Sequence, residues 1–209
     1  MSVVENLKWR YATKRMNGEK VPAEKLENIL EAIQLAPTSI GMQPFTILVI
    51  EDAATKAKIA PAIYNQPVIT EGSHVLVFAA WKEYSNENVD KYINKIASLR
   101  GISVESLNGM RNMITGAISG KTPEQLLNWN MRQAYIALGA GLVAAAEEQV
   151  DATPMEGFDP DALDAVLGLQ EKGLRSTVIM TLGYRDAGND RLSSAAKVRR
   201  SKDELFVRI

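Results

Sequence analysis

The sequence predicts an α+β fold in which a small mixed sheet lies between helices. Three short runs, Phe45–Ile50, His74–Ala80 and Ser176–Leu182, are apolar at nearly every position and rich in β-formers. Strands of that composition are covered on both faces, as when helices pack on each side of a sheet. Between these runs lie segments with helical spacing, punctuated by proline.

Pro22 opens the first clear helix, because proline at the first helical position costs no hydrogen bond. Over Ala23–Ala36 the residues Leu26, Ile29, Leu30 and Ile33 share one face, and Pro37 ends the segment. Phe45–Ile50 follows as a strand bounded by Pro44 and by Glu51-Asp52. Residues 84–119 read as helical and more polar, an excursion outside the core. Thr122-Pro123-Glu124-Gln125 has the form of a capping box with proline at the first helical position, and launches a long helix to about Val150. Its apolar stretch Ala134–Ala146 is 13 residues long, short of the roughly 20 that span a bilayer, and reads as a helix buried on all sides. Asp159-Pro160 opens a short helix closed near Gly168. Glu204–Ile209 alternates enough to be a terminal strand, placed to pair with the sheet of a partner subunit.

At 209 residues and 46% hydrophobic composition, the chain suits one domain over 1–209 with a sizeable core. A net charge of −1 argues against a dedicated nucleic-acid binder. With no cysteine and one histidine, a thiolate metal site, a disulfide framework and a cysteine nucleophile are absent, and no metal is expected. The first ten residues lack a signal-peptide core, and a cytoplasmic location is expected.

Two basic clusters stand near the ends, Arg10-Tyr11-Ala12-Thr13-Lys14-Arg15 and Lys197-Val198-Arg199-Arg200. On an extended segment Lys197 and Arg199 point the same way and could hold a phosphate; a solvated surface is the other reading. There is no P-loop motif. Gly139-Ala140-Gly141 lies in a helical run with no strand before it, so close helix packing explains it better than a dinucleotide fingerprint. Glu147 and Glu148 point to different sides of a helix, and His74, heading an apolar strand, reads as structural.

Several of these stretches occur in one order that resembles the FMN-dependent nitroreductases, in particular the oxygen-insensitive NAD(P)H nitroreductase and dihydropteridine reductase branch. They are Arg10–Lys14, Ala36-Pro37-Thr38-Ser39 with Gln43-Pro44-Phe45, Asn65, and Ser73-His74-Val75. Trp129, Gln133 and Tyr135 follow in the long helix, then Pro154–Asp159, Gly168–Gly173 and Lys197-Val198-Arg199. The resemblance covers nearly the whole chain except about 84–120.

It implies an intertwined homodimer with exchanged C-terminal strands and FMN in the cleft between subunits. Arg10, Lys197 and Arg199 would grip the phosphate, in the company of Tyr11, Ala12 and Thr13; the family often has a hydroxyl where Ala12 stands. Lys14 would reach the pyrimidine edge of the isoalloxazine, and Asn65 its imide edge. Pro154, Glu156 and Gly157 would lie beside the ring, with a backbone N–H directed at N5; Lys14 and Glu156 are the expected catalytic residues. Thr38, Ser39 and Gly41 would approach from the second subunit. Gly41 replaces an asparagine of some relatives, and Val68 a lysine. The implied activity is ping-pong transfer from NADH or NADPH to a small flat acceptor, such as a nitroaromatic, quinone, pteridine or flavin. A flavin-storage or sensor protein without turnover is the alternative. The 84–120 excursion would form a lid, with Met110, Met113 and Ile114 as candidate lining or plain helix core.

Overall fold

In a computed structural model, which describes residues 2–209, the chain begins with α1 (Val3–Trp9) and α2 (Ala23–Gln34), then β1 (Phe45–Ile50). Next come α3 (Ala53–Ile59), α4 (Pro67–Glu71), β2 (His74–Trp81), α5 (Asn86–Arg100), α6 (Asn108–Ser119) and α7 (Pro123–Glu147). The last elements are β3 (Asp151–Met155), α8 (Pro160–Leu167), β4 (Leu174–Gly183) and α9 (Lys202–Leu205).

The four strands form one sheet in the order β1-β2-β4-β3, with every neighbouring pair antiparallel. The fold is α+β, as expected, but the expected mixed sheet is corrected to an antiparallel one. The connections explain this: the helices between β1 and β2, and between β3 and β4, return the chain beside the strand it left, so no parallel crossover is made.

Alternation along β2 divides the core. Leu76 and Phe78 face α2 and α7, packing with Ile29, Ile33, Ala134 and Ala137. Val75 and Val77 face the opposite layer, with Ile59, Ile63, Ile69 and Leu163. Both faces of β2 are thus covered, which is why its sequence shows no polar alternation. β3 escaped the sequence reading because Pro154 reads as a turn. The proline is accommodated because β3 is an edge strand, paired on one side only, with Pro154 opposite Met180.

Local signals account for the helix ends. Thr122 and Gln125 form the reciprocal capping box that launches α7, and the Asp159 carboxylate accepts N–H bonds from Asp161 and Ala162 at the start of α8. Pro22 sits one position before the first helical residue of α2. A Cβ on Gly141 would fall 2.9 Å from Ile33, so glycine there lets α2 and α7 approach closely, as the packing explanation required.

Two further expectations fail. α7 is not buried on all sides: Tyr135 and Ile136 are 38% and 44% exposed, and an outward apolar groove runs along Ile136, Gly139, Ala140 and Val143. Residues 204–209 do not form a strand. Ser201 and Glu204 make a capping box that winds Lys202–Leu205 into a helical turn, and the following residues pair with no strand of this chain. Phe206, Val207 and Ile209 are exposed.

The end of α4 packs on β4 at Gly72, where a Cβ would lie 2.7 Å from the Val68 carbonyl oxygen and also strike Thr181. Gly72→Ala should therefore cost about 3 kcal/mol by overpacking. Thermal unfolding should show the melting temperature lowered by roughly 6–12 °C.

Candidate functional site

The two ends of the chain meet beyond β4. Residues 15–17 run beside 184–186, joined by the Met16–Arg185 bridge and by the Asn17 N–H bond to the Tyr184 carbonyl. Asp190, 3% exposed, closes the junction. Its carboxylate accepts from the Thr13 hydroxyl at 2.7 Å, the Lys14 N–H at 2.9 Å and the Leu192 N–H at 2.9 Å. Burial alone would raise its pKa, but these donors outweigh it and hold the carboxyl at about 2.

The chain then doubles back to α1. Lys197 Nζ donates to the carbonyls of Leu7, Lys8 and Arg10 at 2.7, 3.0 and 2.5 Å, capping the last turn of α1 with positive charge. Between these ends lies a groove of about 380 Å³, lined by Arg10, Tyr11, Ala12 and Lys14, by Pro154, and by Leu192 and Ala195–Lys197 with Arg199. No carboxylate lines it. Burial, then the charge of Arg199, lowers the pKa of Arg10; burial, then Arg10 and Arg199, lowers that of Lys197. Arg10 Nε is buried without a hydrogen-bond partner. Like charges crowded together with a donor unspent are what a groove able to hold an anion would offer.

Pro154 carries β3 into this groove, and the Thr153 hydroxyl bonds the Thr13 carbonyl at 3.0 Å. Beyond β3, Gln66 Nε2 donates to the Gly157 carbonyl at 3.0 Å, holding the turn at Asn65 against the Glu156-Gly157 turn. Asn65 is exposed, in left-handed conformation with φ 51°. Glu156 accepts a 2.5 Å bond from the Tyr135 hydroxyl, whose pKa is raised by burial and then by Glu156 itself. Val68 is buried against Ile69 and Ile179, so that position offers the surface no side chain.

Thr38, Ser39 and Gly41 lie elsewhere. Ser39 N–H bonds Gln133 at 2.8 Å, the Tyr92 hydroxyl bonds the Ile40 carbonyl at 2.5 Å, and Gly41 lines a different groove with Trp81 and Tyr92. Within one chain this group is not part of the Arg10 groove. Ile40 and Gln43 hold positive φ, so the turn is strained. His74 is structural, as expected: it is buried, bonded to Ser73 Oγ at 2.9 Å, and burial lowers its pKa. Ile114 is fully buried in the core of the excursion, whereas Met113 is exposed.

Three contributors escaped the sequence reading. Asp190 sits in the polar run Asp186-Ala187-Gly188-Asn189-Asp190, which signals only a loop. Arg185 pairs with Asp151 at 2.6 Å and lies over the rings of Trp9 and Tyr11, joining β3 and β4 to α1. Gln66 neighbours the matched Asn65, but its role depends on a long-range contact. Among the described residues, no group of three or more metal-ligating side chains occurs, and no helix is long and apolar enough to cross a membrane.

The depressed pKa of Asp190 links stability to pH. The stabilisation is present above the ordinary value of 3.8 and is lost as pH falls through about 2. Asp190→Asn should lower stability at neutral pH and flatten the acid limb between those values, read by denaturant titration across pH.

A family model described as the Nitroreductase family matches residues 7–184. The chain is 29% identical over 212 residues to a major NAD(P)H-flavin oxidoreductase of Aliivibrio fischeri, covering 98% of this chain and 97% of that protein. It is 28% identical over 196 residues to an oxygen-insensitive NAD(P)H nitroreductase of Salmonella typhimurium, covering 88% and 89%. A structure from Exiguobacterium sibiricum, described as a nitroreductase in complex with FMN, superposes with TM-score 0.83 at 20% identity over 100% of this chain and 98% of that one. A match across most of the chain, on a sheet and helices arranged as in those structures, makes this protein a member of the nitroreductase family.

Proposed function

We propose that the protein is an FMN-dependent NAD(P)H oxidoreductase that reduces small, flat, electron-poor acceptors such as nitroaromatics, quinones, pteridines or flavins. The observation that carries this reading is the groove at the chain ends, in which Arg10, Lys14, Lys197 and Arg199 converge with no carboxylate lining it. The buried, unpartnered Arg10 Nε fits a phosphate ester, since an anion there would satisfy the donor and relieve repulsion among the cations. FMN held there would supply the two-electron chemistry between NADH or NADPH and the acceptor.

The protein's own part is binding, orientation and charge. Arg10 and Arg199 hold the phosphate, while Lys197 donates to the α1 carbonyls and keeps its charge at the groove wall. Thr13, fixed by Asp190, sets the backbone of Tyr11 and Ala12 along the groove. Lys14 places a cation where the ring's pyrimidine edge gains electrons, which favours reduction. Asn65 offers a donor and an acceptor to the imide edge. Glu156 and Gly157 would border the ring, with Glu156 held in place by Tyr135.

The remaining contributors, Thr38, Ser39 and Gly41, come from a second copy of this chain. Support comes from two apolar surfaces, the outward groove of α7 and the exposed tail with Phe206, Val207 and Ile209. A homodimer covers both, α7 against α7 and the tail exchanged onto the partner. The excursion over 84–120 forms the lid of the acceptor site. A cytoplasmic location fits this reading, since NADH and NADPH are supplied there.

The protein as purified should be yellow, and anaerobic NADH or NADPH should bleach its ~450 nm flavin band without added dye. Failure with both donors would leave a flavin-storage or sensor protein instead. Arg199→Ala should purify with several-fold less flavin; full occupancy would remove Arg199 from the phosphate site.

A further inference from the structure

A second groove, about 340 Å³, lies between the Ser39–Gly41 turn and α5. Its apolar lining includes Trp81, Met42 and Leu99, and Leu99 is 77% exposed at the edge. Its polar side carries Lys91, Lys95 and Arg100, and no carboxylate is among the lining residues. That volume is at the lower end of the range that holds small ligands, and apolar walls with a few charged groups are what such sites use.

The charge pattern of α5 argues against an ordinary solvated helix face. The acids of the helix are already engaged: Asp90 pairs with Arg111 at 2.6 Å across to α6, and Glu87 pairs at 2.7 Å with Lys91, itself a lining residue, which leaves Lys95 and Arg100 as the unspent charges. Lys95 and Arg100 have no ion-pair partner among the described residues. Lys91 and Lys95 stand four positions apart, where like charges destabilise a helix. The unbalanced cations are held on a helix anchored to the turn, because Tyr92 bonds the Ile40 carbonyl and Gly41 leaves no room for a side chain against the Tyr92 hydroxyl.

We propose that this groove seats the anionic substituent of the acceptor, so that the enzyme selects flat electron-poor aromatics bearing a carboxylate, sulfonate or phosphate. The ring lies toward the Gly41 turn and the anion toward Lys95 and Arg100. The substrate assignment rests on the flavin reading of the preceding section, in which Gly41 borders the ring; binding of an aryl anion to the groove does not. No redox step is added. The groove contributes affinity and orientation, and the exposed position of its cations makes that contribution sensitive to salt.

The test compares 4-nitrobenzoate with 4-nitrobenzamide, which share a nitro-substituted ring and differ in charge. Calorimetric titration of the flavin-loaded protein, without nicotinamide, should give a lower Kd for the carboxylate. The double variant Lys95→Gln/Arg100→Gln should raise that Kd roughly tenfold, the scale of one or two hydrogen bonds to a charged group, and leave the Kd for the amide within about twofold. Salt at about 0.5 M should narrow the wild-type preference. The same variant should raise the steady-state KM for 4-nitrobenzoate relative to the amide.

Equal wild-type affinities, or an equal loss for both compounds in the variant, would overturn the proposal. So would a variant whose KM rises for NADPH and not for the acceptor, because the groove would then serve the donor. Flavin bleaching on the same preparation separates the two readings. Protein that does not bleach yet binds the carboxylate through Lys95 and Arg100 sinks the oxidoreductase function and keeps the anion groove. Protein that bleaches but shows no charge preference does the reverse.

Discussion

The carboxylate of Asp190 is where two distant parts of the chain become one surface. It accepts from the hydroxyl of Thr13 and from the N–H groups of Lys14 and Leu192, so a single buried charge fixes the segment before α2 against the segment after β4. A buried anion is costly unless its lone pairs are filled, and here they are filled by donors from both strands of chain it joins. The groove from Arg10 to Arg199 is framed by that junction, by the Arg185–Asp151 pair and by the hold of Lys197 on α1.

The groove we propose for an anion has no glycine loop. A P-loop or dinucleotide fingerprint presents backbone N–H groups; this groove presents side-chain cations instead. They are not equivalent. Lys197 has its three donors committed to carbonyls and acts as a charge held at fixed distance, whereas Arg10 keeps an unpartnered Nε. The family's sequence pattern distinguishes neither role.

Much of the scaffold was legible because local and global signals agree. Phe45–Ile50 has the bounds its flanking Pro44 and Glu51 suggest, and Thr122-Pro123 starts the long helix where its capping box dictates. Misreadings came where tertiary context decides. Pro154 argues for a turn until the strand is known to lie at an edge. Alternation over 204–209 suggests a strand, but the Ser201-x-x-Glu204 cap acts first in a chain with no partner sheet beside it. Ala134–Ala146 is apolar all round, and the sequence does not say that one stripe faces away from its own core. The family resemblance pointed to Arg10, Lys14, Lys197 and Arg199, which the structure brings to one groove, whereas no motif marks Asp190 or Gln66, whose contacts are long-range.

The grip of Lys197 on the end of α1 couples the fate of the protein's first helix, about two turns long, to the C-terminal segment. α1 spans seven residues, too few to persist alone in water, so its helical state depends on its packing on α7 and on that terminal ammonium. An anion bound as proposed beside Lys197 and Arg199 would also hold α1 folded, and by linkage ordered α1 would strengthen the anion's hold. Amide hydrogen exchange in Val3–Trp9 therefore becomes a remote gauge of occupancy.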